Sequence, residues 1–197
     1  MPYSHLNDYP TDIRERAARV RVLGLDVDGT LTDGRLLFDS EGRELKAFHV
    51  HDGQGLVLLR RAGIHVVLVT ARVSVVVEHR ARELGIEAHT GVHDKLACID
   101  GVVARLGVGR DSVAFMGDDL PDLRVMPHVG FAIAPANAHP WVRERAHWRT
   151  QARGGHGAAR EVCDLVLAAQ GLAERVLAAA LGDAPIPQDT QATGIPA

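Results

Sequence analysis

Short apolar runs alternate with amphipathic stretches along the chain. "VRVLGLDV" (20–27), "IHVVLVT" (64–70), "SVAFMG" (112–117) and "VGFAIA" (129–134) are near-continuous apolar runs of strand length. Such runs fit strands covered on both faces. "IEAHT" (86–90) predicts a shorter strand, and "RLLFDSEGRELKAFHV" (35–50) reads as a hairpin, two β-like runs about Ser-Glu-Gly. Between the runs, apolar residues recur at helical spacing. This predicts a helix over "DGQGLVLLRRAG" (52–63), with Asp52 as N-cap and Gly63 at its end, and another over "VSVVVEHRARELG" (73–85), stopped by Gly85. A further helix is expected from Asp94 to Leu106. Short helices are expected over "LPDLRVMPH" (120–128) and over "HPWVRERA" (139–146), which has Pro140 near its start. "HGAAREVCDLVLAAQG" and "LAERVLAAALG" predict a helical C-terminal end. Strands separated by helices argue for an α/β fold, a doubly wound parallel sheet with helices on both faces. Residues 1–182 are expected to form one domain, with a hairpin insertion at about 33–50. The segment 183–197, "DAPIPQDTQATGIPA", holds three prolines and little to bury, and is expected to be a flexible tail.

Composition narrows the function classes. A net charge of −3 over 197 residues gives no basic field for nucleic acid. The apolar runs are too short to span a bilayer, and the N-terminus lacks a signal-like apolar stretch, so a cytoplasmic protein is expected. Cys98 and Cys163 lie far apart in apolar segments, with neither metal spacing nor a disulfide framework, and read as buried free thiols. Of the 22 cations only Lys46 and Lys95 are lysines, which marks Lys95 as a position that has not drifted to arginine.

In doubly wound sheets, ligands bind beyond the carboxyl ends of the strands. Asp26 and Asp28 end the first run, Thr70 ends the second, Lys95 opens a helix, and Asp118 and Asp119 follow "SVAFMG". Four polar clusters therefore converge on one edge. Asp26 and Asp28 share a face if the strand continues, and a turn after Asp26 would separate them. Close carboxylates repel and raise one another's pKa, and a divalent cation relieves this. Carboxylate and carbonyl oxygens suit Mg²⁺. A carboxylate beside Mg²⁺ can attack phosphorus, and a second can protonate the leaving alcohol. Each residue also has a plainer reading: turn chemistry for Asp28, a helix cap for Thr70, a solvated helix residue for Lys95, and a helix N-terminus for Asp119 and Asp122.

The motifs carry a resemblance. "DVDGTLT", Thr70 in "VLVTAR", Lys95 in "GVHDK" and "MGDDLPD" are similar, in order, to the four motifs of the haloacid dehalogenase superfamily. The resemblance implies a Rossmann-like core with Asp26 as nucleophile, Asp28 as general acid/base, and Thr70 and Lys95 as phosphate binders. It implies Mg²⁺ held by the Asp26 carboxylate, the Asp28 carbonyl and Asp118, with Asp119 or Asp122 acting through water. Only a hairpin and a helix fit between Asp28 and Thr70, and only a helix and a strand between Thr70 and Lys95. No cap domain is therefore expected.

From about Val22 to Gly171 the chain further resembles the capless sugar-acid phosphatases, typified by 3-deoxy-D-manno-octulosonate 8-phosphate phosphatase of lipopolysaccharide synthesis. "DGRLLFDSEGRELKAFHVHDGQGL", "GDDLPDL", "NAHPWVRERA" and "GGHGAAREVCDLVLAAQG" carry this likeness. It implies hydrolysis of that eight-carbon sugar-acid phosphate. It also implies a homotetramer in which the hairpin and C-terminal segment of one subunit close a neighbour's site. Position by position, it places substrate contacts at Asp28, His49, Val50, His51, Asp52, Gly53, Arg72, Arg80 and Lys95, and puts Arg153 and Arg160 near a neighbour's substrate. Family members often have arginine where this chain has His51, and some where it has Val57. A nine-carbon sugar-acid 9-phosphate therefore stays open as substrate, and so does a non-catalytic binding protein. For His49 and His51 the plainer reading is hydrogen bonding at the hairpin base.

Overall fold

β1 (Val22–Leu25) lies at the centre of a parallel sheet and is buried along its whole length. The computed structural model describes Leu6 and residues 8–182. The tail expected at 183–197 lies outside the described residues. β1 pairs in register with β4 (His65–Val69) on one side and β6 (Val113–Met116) on the other, Leu25 standing opposite Leu68 and Met116. β5 (Glu87–His89) extends the sheet beyond β4, and β7 (Phe131–Ala134) and β8 (Trp148–Arg149) extend it beyond β6. The order β5-β4-β1-β6-β7-β8 reverses direction at β1, so the crevice between β1 and β6 is the topological switch point.

The apolar runs are continuous because both faces are covered. Leu23, Leu25, Val66, Leu68, Ala114 and Met116 join one core, and Val22, Val67, Val69, Val113 and Phe115 join the other. The first core is roofed by α1 (Thr11–Ala18), α2 (Val50–Arg61), α3 (Val75–Leu84) and α6 (Ala158–Ala169). The second packs under α4 (Lys95–Leu106) and α5 (Pro140–Arg145). α7 (Ala173–Leu181) follows α6 at the C-terminal end of the described chain. A Cβ on Gly24 would lie 2.9 Å from the Phe115 ring and 3.0 Å from Ile99, so the glycine lets α4 settle close on the sheet.

The hairpin consists of β2 (Leu37–Phe38) and β3 (Glu44–Leu45), antiparallel and outside the main sheet. Only this hairpin, α2 and the core strand β4 lie between Asp28 and Thr70, and only α3 and β5 between Thr70 and Lys95. No cap domain interrupts the described residues. Among them no helix is long and apolar enough to cross a membrane.

Four details depart from the sequence expectations. α1 was not foreseen; its buried residues, Ile13 and Ala17, are a single i,i+4 pair, too little for a pattern to register. β8 is a two-residue edge strand. "LPDLRVMPH" folds as two 3₁₀ turns, Leu120–Arg124 and Met126–His128, since Pro127 lacks the amide that a continuous α-helix would need there. α2 begins three residues early, with His49 rather than Asp52 as N-cap, which leaves Asp52 inside the helix and its carboxylate free for other work.

Candidate active site

The carboxyl ends of β1, β4 and β6 lie side by side and carry Asp26, Thr70 and Asp118. β1 stops at Leu25, and the Asp26 amide still donates to the Met116 carbonyl at 2.9 Å. The chain then turns, with the amides of Thr30, Leu31 and Thr32 folding back on the Val27 carbonyl. Gly29 makes the turn possible: its φ is +89°, and a Cβ there would lie 2.1 Å from Asp118 Oδ2. The turn parts the two aspartates, as sequence allowed. Asp26 points to the crevice, and Asp28 pairs with the hairpin.

Around Asp26 the charges are dense and dry. Lys95 Nζ donates to Asp26 Oδ1 and to Asp122 Oδ1, both at 2.6 Å. Lys95 is 4 % exposed and Asp122 1 %. Asp122 Oδ2 accepts from the amides of Asp118 and Asp119 at 3.0 and 3.2 Å, so this carboxylate ties Lys95 to the β6 loop. Asp119 itself is exposed. Asp118 Oδ1 accepts from Thr30 Oγ1 at 3.0 Å. Oxygens of Asp26, Asp118 and Asp122 lie within 4.8 Å of one another.

This crowding shows in the acidities. Burial, with the Asp122 carboxylate, pushes Asp26 up to about 6 against the pull of Lys95. Burial, with Asp26 and Asp122, pushes Asp118 up to about 7. Burial works against the Lys95 ammonium, but Asp26 and Asp122 outweigh it and raise its pKa. The donors are all oxygens in a net negative pocket, which fits a hard divalent cation such as Mg²⁺. The Asp28 carboxylate is not in this cluster; of the Asp28 atoms, only its carbonyl is in question as a ligand.

Asp28 faces a second group of charges. Lys46 Nζ, from the residue after β3, donates to Asp28 Oδ1 and lies 3.1 Å from Glu44 Oε1. Arg72 donates to Glu44 Oε1 at 3.1 Å, its Nε lies 3.8 Å from Asp28 Oδ2, and Ser74 Oγ donates to Glu44 Oε2 at 2.6 Å. Sequence reasoning missed Lys46. Its scarcity was the signal, since the argument that marked Lys95 applies equally to the other lysine. Thr70 is buried at the end of β4, where its hydroxyl accepts from the Arg72 amide at 3.3 Å.

The segment His49–Gly53 spans the start of α2 beside this group. The His49 and His51 rings meet edge-on at 5.1 Å, and Val50 is exposed. Arg80 Nη2 lies where a Gly53 Cβ would be (2.2 Å), its guanidinium sits over the Phe48 ring at 5.7 Å, and Glu83 pairs with it at 2.8 Å. Val57 is half-buried against the first core. The Asp52 carboxylate turns inward to α6, accepting from the amides of Gly157 and Arg160 at 3.2 and 2.8 Å. The Arg160 side chain pairs with Asp164 along α6, and Arg153 stands exposed in the turn before it.

Comparison with known proteins agrees with this geometry. Residues 89–162 match the model of the haloacid dehalogenase-like hydrolases. The 3-deoxy-D-manno-octulosonate 8-phosphate phosphatase KdsC of Yersinia pestis is 44% identical over 160 residues, 81% of this chain and 86% of that protein. The Moraxella catarrhalis 3-deoxy-D-manno-octulosonate 8-phosphate phosphatase, solved with magnesium, phosphate and the sugar acid, superposes with a TM-score of 0.84 at 40% identity. The match covers 86% of this chain and 98% of that one. The cobalt-bound Haemophilus influenzae deoxy-D-mannose-octulosonate 8-phosphate phosphatase gives 0.80 at 34% identity, covering 85% and 98%. With identities this high over most of both sequences, the chain belongs to the 3-deoxy-D-manno-octulosonate 8-phosphate phosphatase family of haloacid dehalogenase-like hydrolases.

Proposed function

We propose that this protein hydrolyses 3-deoxy-D-manno-octulosonate 8-phosphate to the free sugar acid and phosphate, through an aspartyl-phosphate on Asp26 and with Mg²⁺ as cofactor. The observation that carries this reading is the buried Lys95 ammonium bridging Asp26 and Asp122 beside a third carboxylate, Asp118, at the switch point of the sheet. The relatives' names supply the substrate.

In this reading an Asp26 oxygen attacks phosphorus as the phosphorus–oxygen bond to the sugar breaks. Lys95 holds Asp26 in line and offsets charge on the phosphoryl oxygens. The Thr70 hydroxyl and the Ala71 amide receive those oxygens. Asp28 gives a proton to the departing alcohol, then takes one from the water that cleaves the acyl phosphate and frees Asp26. The Asp26 and Asp118 carboxylates with the Asp28 carbonyl would hold Mg²⁺, which supplies the charge that lets an anionic nucleophile meet an anionic ester. Asp122 serves as a buttress, since both its oxygens already accept hydrogen bonds.

His49–Gly53, with Arg72, Arg80 and Lys95, forms the wall for the sugar acid. Arg72, half-exposed beside Asp28, is placed to take the sugar acid's carboxylate in exchange for Glu44. The hairpin leaves Leu37, Phe38 and Leu45 exposed, and Val50, Val73 and Val75 near it as well. An apolar surface of this kind supports a homotetramer in which a neighbour covers the open site, with Arg153 and Arg160 on the contributing side. Residues 1–182 would act as one cytoplasmic phosphatase domain.

Phosphate release with Mg²⁺ from a panel tests the reading. The panel holds 3-deoxy-D-manno-octulosonate 8-phosphate, nine-carbon sugar-acid 9-phosphates and hexose phosphates. Preference for the eight-carbon acid is expected. Preference for a 9-phosphate would keep the mechanism and assign His51 and Val57 to a larger sugar. No release from any member would leave the binding-protein reading.

A further inference from the structure

A closed ring of hydrogen bonds runs behind the proposed catalytic loops, and of its members only Asp118 belongs to the proposed metal site. It begins at Thr30, whose hydroxyl donates to Asp118 Oδ1 at 3.0 Å. The Asp118 carbonyl accepts from the His139 amide at 2.8 Å, which ties the β6 loop to the loop after β7. In that loop Asn137 Oδ1 accepts from the Gly154 amide at 2.8 Å. The next amide, Gly155, donates back to the Thr30 carbonyl at 3.0 Å and closes the ring.

The glycine turn at 154–155 lies against the loop that carries Asp28 with no room to spare. A Cβ on Gly154 would fall 1.8 Å from the Gly29 carbonyl oxygen, and one on Gly155 2.5 Å from the Asp33 amide nitrogen. Gly155 also has φ +68°, a conformation that favours glycine. Contact this close fixes one loop only if the other is itself fixed. Two side chains do that. Asn137 holds the Gly154 amide, and Asp52, 2 % exposed in α2, holds the amides of Gly157 and Arg160 at the start of α6. Gly157, the N-cap of α6, has no side chain of its own to satisfy those amides, so a residue 105 positions away caps the helix.

We propose that Asn137 and Asp52 are positioning residues, which clamp the Gly154–Gly157 turn against the Gly29–Asp33 loop and thereby set the placement of Asp28 and Asp118. The inference rests on the phosphatase reading for its consequence and on geometry alone for the brace.

The test compares Asn137→Ala, Asn137→Asp and Asp52→Asn with wild type, by steady-state turnover of 3-deoxy-D-manno-octulosonate 8-phosphate at saturating Mg²⁺ and by amide hydrogen exchange. Asn137→Ala removes the acceptor on an exposed residue, so it folds. Its kcat is expected to fall on the order of 10-fold with KM within about twofold, because a sub-ångström shift of reacting groups acts on the chemical step. Asn137→Asp keeps the acceptor oxygen and recovers most of the loss. Asp52→Asn keeps one acceptor of two and, because its segment also lines the sugar wall, is read by exchange alone, with faster exchange expected at Gly157 and Arg160. A lower melting temperature with unchanged kcat per folded molecule overturns the proposal. If wild type releases no phosphate, the functional reading fails and exchange alone decides the brace. Faster exchange spreading from Gly154 to Gly155 and the 29–33 loop supports it, and a change confined to Gly154 overturns it.

Discussion

The chain's two lysines have both been drawn out of water by carboxylates, but the ground under them differs. Lys95 opens α4 and bridges Asp26 to Asp122 within the six-stranded sheet and its loops. Lys46 follows a hairpin of two-residue strands and reaches Asp28 and Glu44 from outside that sheet. The first lysine reaches Asp26, whose strand is paired on both sides, and Asp122, which two amides tie to the β6 loop. The second depends on a hairpin too small to be stable alone, with its apolar face exposed. In the proposed reading the chemistry is thus built on the sheet, and the rim for the sugar on a hairpin whose apolar residues are exposed.

The comparison can be broken first at the nucleophile. Asp26→Asn should lower turnover by on the order of 10³-fold or more while circular dichroism stays that of wild type, because no other group can accept the phosphoryl. Retained turnover would remove Asp26 from the mechanism. Next come the lysines themselves. Lys95→Met leaves Asp26 and Asp122 buried without their cation, at a cost of about 3–5 kcal/mol in denaturant unfolding, with turnover also lost. Lys46→Met leaves Asp28 and Glu44, both partly exposed, where water can take the place of the ammonium, and should cost less, about 1–2 kcal/mol. Its main effect should fall on KM for the sugar-acid phosphate. Equal destabilisation by the two would erase the distinction between sheet and rim.

A smaller effect is the pH dependence of the metal's contribution. Asp26 and Asp118 have folded values of about 6 and about 7, raised from 3.8. Between these limits the folded state holds protons that the unfolded chain has released. The stability they contribute is therefore present at low pH and lost as pH rises through this window. Mg²⁺ competes with those protons. Its addition should raise Tm more at about pH 8 than at about pH 5.5, in scanning calorimetry of the same preparation. An equal shift at both would place the cation elsewhere. Smallest in stability is Phe38→Ser on the exposed hairpin, about 0.5 kcal/mol or less for the folded subunit. Sedimentation should nevertheless show a smaller assembly if this face joins copies.

Much of this was legible before the structure. The buried strands announced themselves as continuous apolar runs, and their carboxyl ends placed Asp26, Thr70 and Asp118 on one edge. Lys95 was legible because lysine is scarce. What stayed hidden depends on contacts between distant segments. Asp52 looked like a local N-cap, since a carboxylate near a predicted helix start has that ready explanation. It caps instead a helix more than a hundred residues on. Asn137 and Gly154 open two of the segments that carry the family likeness, but nothing local pairs them, and their hydrogen bond exists only once the loops meet. The division between Asp119 and Asp122 was equally invisible: Asp119 caps a 3₁₀ turn and is exposed, while Asp122 lies within the turn and is buried.

The central claim is that Asp26 carries the phosphoryl group, and it can be observed directly. Wild-type protein with Mg²⁺ is mixed with 3-deoxy-D-manno-octulosonate 8-phosphate labelled in its phosphoryl group, quenched in acid within milliseconds and digested. The account predicts label on the peptide containing Asp26, rising and decaying within a turnover and missing from Asp26→Asn. Turnover without label on any peptide, or label on another residue, would contradict it.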